Sequence, residues 1–204
     1  MTASTTLSPT DVAALRDRVT GRVLARGDLP DGGPTAAEAV AAHSTLVAHD
    51  PDVAVLAETE ADVVEAVRFA AHHGLRVRSH ATGHGQSSPI TDGVVLGTSG
   101  LAGVEVDPAS RVAHIGAGTR WSAVVDAAAE HGLAPVTGSS TSVGVVGYTL
   151  GGGYGPLTRS HGLTSDRVRG FRVVLADGSV VEAGPDSAVS YAHLRAHAAG
   201  RRRG

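Results

Sequence analysis

Two runs of small residues hold the groups from which a binding site can be built. Gly138 to Gly155, GSSTSVGVVGYTLGGGYG, is dense in glycine and contains no charged side chain. Glycine costs a helix or strand about 0.5–1 kcal/mol per residue in chain entropy, so this density points to backbone that must approach another group closely. The N–H groups of such a stretch, with the hydroxyls of Ser139, Ser140, Thr141 and Ser142, can surround an anion such as pyrophosphate. Val143, Val145, Val146, Tyr148 and Leu150 are interleaved with the glycines, a use of apolar side chains that a flexible linker does not make. Upstream, Ala81-Thr82-Gly83-His84-Gly85 sets one imidazole between two glycines, where neighbouring side chains do not crowd it. The two runs are expected to form opposite walls of one cofactor site.

Several other chemistries are excluded by what these runs lack. No Gly-Lys-Ser/Thr ends the tract, so it is not a Walker A loop. The nearest approach to a dinucleotide fingerprint is Gly116-Ala117-Gly118-Thr119-Arg120-Trp121, where an indole occupies the place of the third glycine and would block close helix–strand packing. His80 and His84 have the i, i+4 spacing of helical metal ligands, but Thr82-Gly83 between them interrupts a helix. With 0 cysteines in the chain and no carboxylate near that pair, a zinc site lacks ligands, and no metal is expected. No serine lies in a G-x-S-x-G setting, and no catalytic residue can be named from the sequence.

The composition sets wider bounds. At 204 residues the chain can bury a real core, and with 42% hydrophobic but only 3% aromatic residues that core is built of Val, Ala and Leu. A formal net charge of −3 gives no reason to expect nucleic acid or an anionic membrane as partner. Neither a transmembrane run nor a Sec-type leader is visible, so a cytoplasmic location is expected.

The elements that must position the two runs read as a mixed α+β pattern. Ser8 is expected to cap a helix running to about Arg26, followed by the loop Gly27 to Pro34 and an Ala-rich helical stretch from Thr35 to His49. Val53 to Ala57 reads as a strand. Thr59-Glu60-Ala61-Asp62 then reads as the cap and acidic first turn of a helix with Val63, Val64, Val67, Ala70 and Ala71 in register and Gly74 as its stop. A strand over 76–79 completes a β-α-β unit. After the histidine loop the pattern changes to short strands at 93–97, 103–107 and 111–116, the last two joined by Asp107-Pro108-Ala109-Ser110 as a hairpin. A helix begins near Thr119, with Trp121, Val124, Val125 and Ala128 on one face and Gly132 as its stop; beyond the tract, Ala176-Asp177-Gly178 joins two strands as a second hairpin. The last residues from Gly184, ending in three arginines, show no period and read as a disordered tail.

Taken in order, VAVLAETEADVVEAVRFAAHHGLRV, ATGHG, GAGTRWSAVVDAAAEHGLAPVTGSS, VGVVGYTLGGGYG, HGLTSDRV and VVLADGSVVEA resemble the FAD-binding domain of the vanillyl-alcohol oxidase (PCMH) type, and within it the berberine-bridge-enzyme-like oxidases, over Val53 to Ala183. The resemblance implies two small α/β subdomains with the FAD pyrophosphate between them. The FAD contacts it implies are Ala81, Thr82, Gly83, His84 and Gly85 on one side and Gly138, Ser139, Ser140, Thr141, Gly144, Gly147 and Gly152 on the other. It also implies a bond from the loop histidine, here His84, to the 8α-methyl of the flavin. Many relatives carry a second bond from a cysteine at the place of Ser140; with no cysteine here, the open alternatives are a single bond or non-covalent binding.

The domain reading that follows is an N-terminal helical segment at 1–46, the FAD-binding domain at 47–185, and a tail at 186–204 that is disordered or frameshifted. The expected function is the FAD-binding domain of an oxidase that takes a hydride from an alcohol, sugar or C–H/C–N substrate and passes the electrons to oxygen. The family's D-L-F-W-A-L-R-G-G-G-G-N-F-G segment and its substrate domain are not in this sequence, so a truncated gene is expected, and a small-molecule substrate only if a substrate domain is supplied. The alternatives are a non-catalytic flavin-binding fragment, or a separate FAD subunit of a multi-chain dehydrogenase.

Overall fold

Apolar runs without alternation form the middle of the first sheet. The computed structural model describes residues 7–28, 32–184 and, as backbone, 189–190, and the chain divides into two units, 1–101 with 174–179 and 102–173 with 180–204.

In unit 1, α1 (Pro9–Arg16), β1 (Arg22–Ala25), α2 (Ala36–Ala39), β2 (Val53–Leu56), α3 (Glu60–His72), β3 (Val77–His80) and β4 (Val94–Gly97) follow in order. The sheet order is β1-β2-β4-β3, with β1 antiparallel to β2 and the other pairs parallel. Its central strands VAVL and VVLG are buried along almost their whole length, as parallel strands covered on both faces require. On one face Val53, Val55, Val94 and Leu96 pack with Ala66 and Ala70 of α3 and Val12 and Leu15 of α1. On the other, Ala54 and Val95 pack with Leu24, Ala36, Val40 and Ile90. Each helix begins on a capping box: Ser8 with Asp11, Thr35 with Glu38, Thr59 with Asp62.

Three expectations need correction here. The first helix ends at Arg16 rather than near Arg26, and residues 22–25 are an edge strand instead. Non-local bonds decide this, because the amides of Thr20 and Gly21 donate to the Asp62 carboxylate at 2.8 and 3.1 Å and a Cβ on Gly21 would overlap Leu56 O. The helix read over Thr35 to His49 closes at Ala39, beyond which the chain is irregular and its backbone bonds to the histidine loop. The strand near 93–97 lies in the first sheet, between β2 and β3, so those two strands pair with β4 and not with each other. The helix between them is as read, except that Val63, Ala66, Phe69 and Ala70 face the core while Ala71 is exposed.

Unit 2 opens with the hairpin β5 (Val104–Asp107) and β6 (Val112–Ile115), whose turn is held by Asp107 Oδ1 accepting the Ala109 N–H at 2.9 Å. Then come α4 (Trp121–Ala129), α5 (Val145–Leu150), α6 (Thr158–His161), a 3-10 turn at Thr164–Arg167, and strands β7 (Phe171–Val174), β8 (Val180–Gly184) and β9 (Val189–Ser190). Trp121, Val124 and Val145 form its core, with Val104, Ile115, Val143 and Tyr148 against them. Gly132, at φ +67, follows α4 where a stop was read. Of the segment 186–204 only the backbone of 189–190 is described, and it pairs in parallel with Ala183–Gly184; the rest of the tail reading lies outside the described residues. The whole is α+β, as the sequence pattern indicates.

Candidate functional site

In unit 1 the site is built from the turn that leaves β3. His80 ends that strand, 8% exposed, with its Nε2 3.1 Å from Ala41 O. Burial foremost, and next the nearby His49, push the His80 imidazole below its ordinary pKa, against the Ala41 bond that raises it, so the neutral ring is favoured. Gly83 and Gly85 both lie in the left-handed region, at φ +71 and +73. Gly83 is further constrained: a Cβ there would come 2.7 Å from Ala41 O and 2.8 Å from His43 N, and its carbonyl accepts the His43 N–H at 3.1 Å. The loop is therefore stitched at two points to residues 41–43.

His84 sits on this stitched turn. Its Nδ1 is 3.0 Å from Thr82 Oγ1, and its ring stacks on His43 with centroids 3.9 Å apart and planes 18° from parallel. Below the turn, His49 is 4% exposed; its Nδ1 accepts the Ile90 N–H at 3.0 Å and its Nε2 meets Gln86 Oε1. Sequence reasoning singled out Ala81 through Gly85 and the fold gathers them in one turn, but it missed His43 and His49. No local signal marks either residue: both lie in an Ala-rich stretch, and only the tertiary path brings them beneath the loop. Among the described residues no group of three or more His, Cys, Asp or Glu side chains is placed to hold a metal.

Unit 2 carries the glycine tract, which is an open edge followed by a short helix. Ser139, Ser140 and Thr141 are exposed, with Ser140 Oγ 3.0 Å from Ser142 Oγ. The edge is laid along the start of α4: Ser122 N–H donates to Thr141 O at 2.9 Å, Trp121 N–H to Val143 O at 3.0 Å, and Val145 N–H to Thr119 O at 2.9 Å. The Arg120 guanidinium donates to Ser142 O at 2.6 Å. Gly144 is the buried N-cap of α5.

The glycines of the tract fall into two groups. Gly153 and Gly155 are required by the fold, since a Cβ would overlap Thr164 in one case and Thr137 O in the other. Gly138 is nearly as confined, with Tyr148 Cε2 3.0 Å from the position of a Cβ. Gly147 and Gly152 differ, because nothing of the chain lies within 4 Å of a Cβ at either one. Gly152 has φ +105, which itself favours glycine. Gly147 is an exposed residue inside a helix with no steric reason in the chain to be glycine.

Three buried side-chain atoms, Thr137 Oγ1, Tyr148 Oη and Trp121 Nε1, have no hydrogen-bond partner among the described residues. Buried polar atoms are nearly always paired, so an unpaired group is a place where a water or a ligand can complete the bond. Two of the three flank Gly138, and a polar ligand at the tract fits them. Sequence reasoning counted Tyr148 only as an apolar spacer and did not single out Thr137.

The family model described as "FAD binding domain" matches residues 51–184. A curated relative, the (R)-6-hydroxynicotine oxidase of Paenarthrobacter nicotinovorans, is 37% identical over 127 residues, which is 61% of this chain and 28% of that one. Among solved structures, a variant of the BBE-like 1 protein of Physcomitrella patens superposes with a TM-score of 0.75 at 25% identity, covering 87% of this chain and 38% of that one. The glucooligosaccharide oxidase of Acremonium strictum, with its 6-S-cysteinyl, 8α-N1-histidyl FAD, matches with a TM-score of 0.63 at 30% identity, over 71% of this chain and 31% of that one. The chain thus spans about a third of the length of the relatives it matches.

Proposed function

The chain belongs to the FAD binding domain family, as carried by FAD-linked oxidases, and from that premise we propose that FAD contacts Ala81, Thr82, Gly83, His84 and Gly85 in unit 1 and Gly138, Ser139, Ser140, Thr141, Gly144, Gly147 and Gly152 in unit 2, with His84 bonded to it. The fit of the tract rests on the open faces at Gly147 and Gly152 and on the unpaired hydroxyls of Thr137 and Tyr148. The fit of the loop rests on His84, and this carries the reading: the ring is held by Thr82 and His43 on a turn whose two flanking glycines, Gly83 and Gly85, both have positive φ. A relative 30% identical has a histidyl FAD.

Each residue has a defined task. The backbone and hydroxyls of 138–141 face the pyrophosphate without a cation of their own. When bound, FAD supplies a two-electron acceptor that no side chain provides. His84 would hold FAD through an N–C bond to the 8α-carbon, one hydrogen leaving the ring nitrogen and one the carbon, with dioxygen taking up the two protons and two electrons as hydrogen peroxide. With 0 cysteines, this is the single anchor available at the place where some relatives have two. The region 47–185 is the proposed extent of the FAD-binding domain. Residues 9–25 of the preceding segment add a helix and an edge strand to unit 1.

The wider activity follows the family: oxidation of an alcohol, sugar or C–H/C–N substrate, with oxygen accepting the electrons. The site reading is tested by expressing the chain, denaturing it in acid, and measuring flavin absorbance and the added FAD mass on the polypeptide. Flavin retained by the natural chain and lost in His84→Ala is the expected result. Flavin released from the natural chain by acid would refute the bond, and equal retention by the variant would refute its assignment to His84.

A further inference from the structure

The imidazole stacked on His84 belongs to a residue that takes no part in the fold's core, and its position calls for a reason. His43 is exposed, in an irregular stretch past α2, yet its ring lies 3.9 Å from that of His84 and only 18° from parallel. Its backbone N–H is bonded to Gly83 O, one residue before His84, and the neighbouring Ala41 O is bonded to His80. Two backbone-anchored contacts therefore hold the segment 41–43 against the histidine loop whatever side chain stands at 43. The ring itself is spare for stability and placed for orientation.

We propose that His43 is the positioning residue for covalent attachment of flavin at His84. The inference rests on the His84 bond proposed above. An imidazole on a glycine-flanked turn can rotate about both side-chain torsions, and a bond to a fixed carbon forms from a narrow range of those rotations. Thr82 Oγ1, 3.0 Å from Nδ1, holds the ring at its edge. His43 holds it at its face, a contact that constrains the plane of the ring. The parallel stack places neither ring's N–H in the plane of the other, so His43 acts by shape and contact and transfers no proton to His84. An aromatic ring of similar size should replace it; an aliphatic stub should not.

The test uses the full 204-residue chain, prepared free of flavin, mixed with FAD in air, and sampled over time for acid-stable flavin. His43→Ala should slow attachment about tenfold, the scale of one aromatic contact that controls orientation, and His43→Phe should stay within about threefold of the natural chain. Reversible FAD affinity, read by flavin fluorescence before the bond forms, should change little in either variant. Trypsin separates the two histidines, because Arg26 and Arg68 bound the peptide with His43, and Arg78 and Arg111 bound the one with His84; flavin belongs on the second. An unchanged rate in His43→Ala, with flavin on the second peptide, overturns the positioning role and leaves the His84 bond standing. Slow attachment in both variants overturns stacking as the cause. Absence of acid-stable flavin in the natural chain overturns both the bond and this inference.

Discussion

Asp62 is about 1% exposed, and its carboxylate accepts N–H bonds from Thr20, Gly21, Glu58 and Thr59 at 2.8–3.1 Å. Burial alone would raise its pKa, but the four backbone bonds outweigh it and hold the group below the ordinary carboxylate value. Because the folded value is depressed, the stability this residue contributes is complete above the unfolded pKa. It is lost as pH falls below about 4 through the unfolded and then the folded value. Asp62→Asn keeps the shape and removes half of the acceptor capacity, so part-buried N–H groups just before α3 and in the turn before β1 go unpaired. Urea unfolding at neutral pH should show a loss of about 3 kcal/mol, and the gap between variant and natural chain should narrow near pH 3. A variant as stable as the natural chain at neutral pH would show that those amides find other partners. The histidines of the site obey a different logic: His80 is buried and carries the turn, whereas His84 and His43 are half-buried and exposed and are placed by that turn.

At the scale of elements, α5 separates the demands of folding from those of binding. Gly147 lies inside this six-residue helix, exposed, with open space where a Cβ would be. A glycine there costs the helix about 1 kcal/mol relative to alanine. Gly147→Ala should therefore raise the apo chain's thermal stability slightly while weakening FAD binding several-fold, two changes of opposite sign. If affinity is unchanged, the flavin does not approach α5 at that residue. The same element shows what the sequence could convey. Glycine density and the interleaved Val145 and Tyr148 are the grounds for proposing the tract as binding backbone, but periodicity over six residues is too short to reveal a helix. The helix α3 was legible because its cap, its apolar spacing and its terminal glycine agree locally. The strand β1 was not, because Val19, Val23 and Leu24 fit a helix as well as a strand, and the choice was made by Asp62, forty residues away. His43 was hidden for the same reason: its role depends on Gly83, which the chain reaches only after a strand, a helix and another strand.

At the scale of the whole molecule, the charge distribution bears on how an anionic cofactor is held. The formal net charge is −3, so the protein offers no overall attraction to a pyrophosphate. Many arginines are already engaged: Arg26 with Asp50 and Asp52, Arg76 and Arg78 with Asp92, Arg172 with Glu182. Among the proposed contacts in both runs there is no arginine, and Arg120, at the start of the helix along which the tract is laid, donates to Ser142 O at 2.6 Å. In the proposed site the pyrophosphate is then held by backbone N–H groups and hydroxyls, which are dipoles at short range. Ionic screening acts on separated charges over about 8–10 Å and hardly touches such contacts. Reversible FAD affinity in His84→Ala, measured by flavin fluorescence, should therefore change by less than about threefold between about 0.05 and 0.5 M salt, where a site built on ion pairs would weaken far more. A steep loss of affinity with salt would instead assign the pyrophosphate to an arginine. Arg120→Gln would then identify it: a salt response flattened in that variant would mean that Arg120 leaves Ser142 for the cofactor, and that the tract holds its anion by charge.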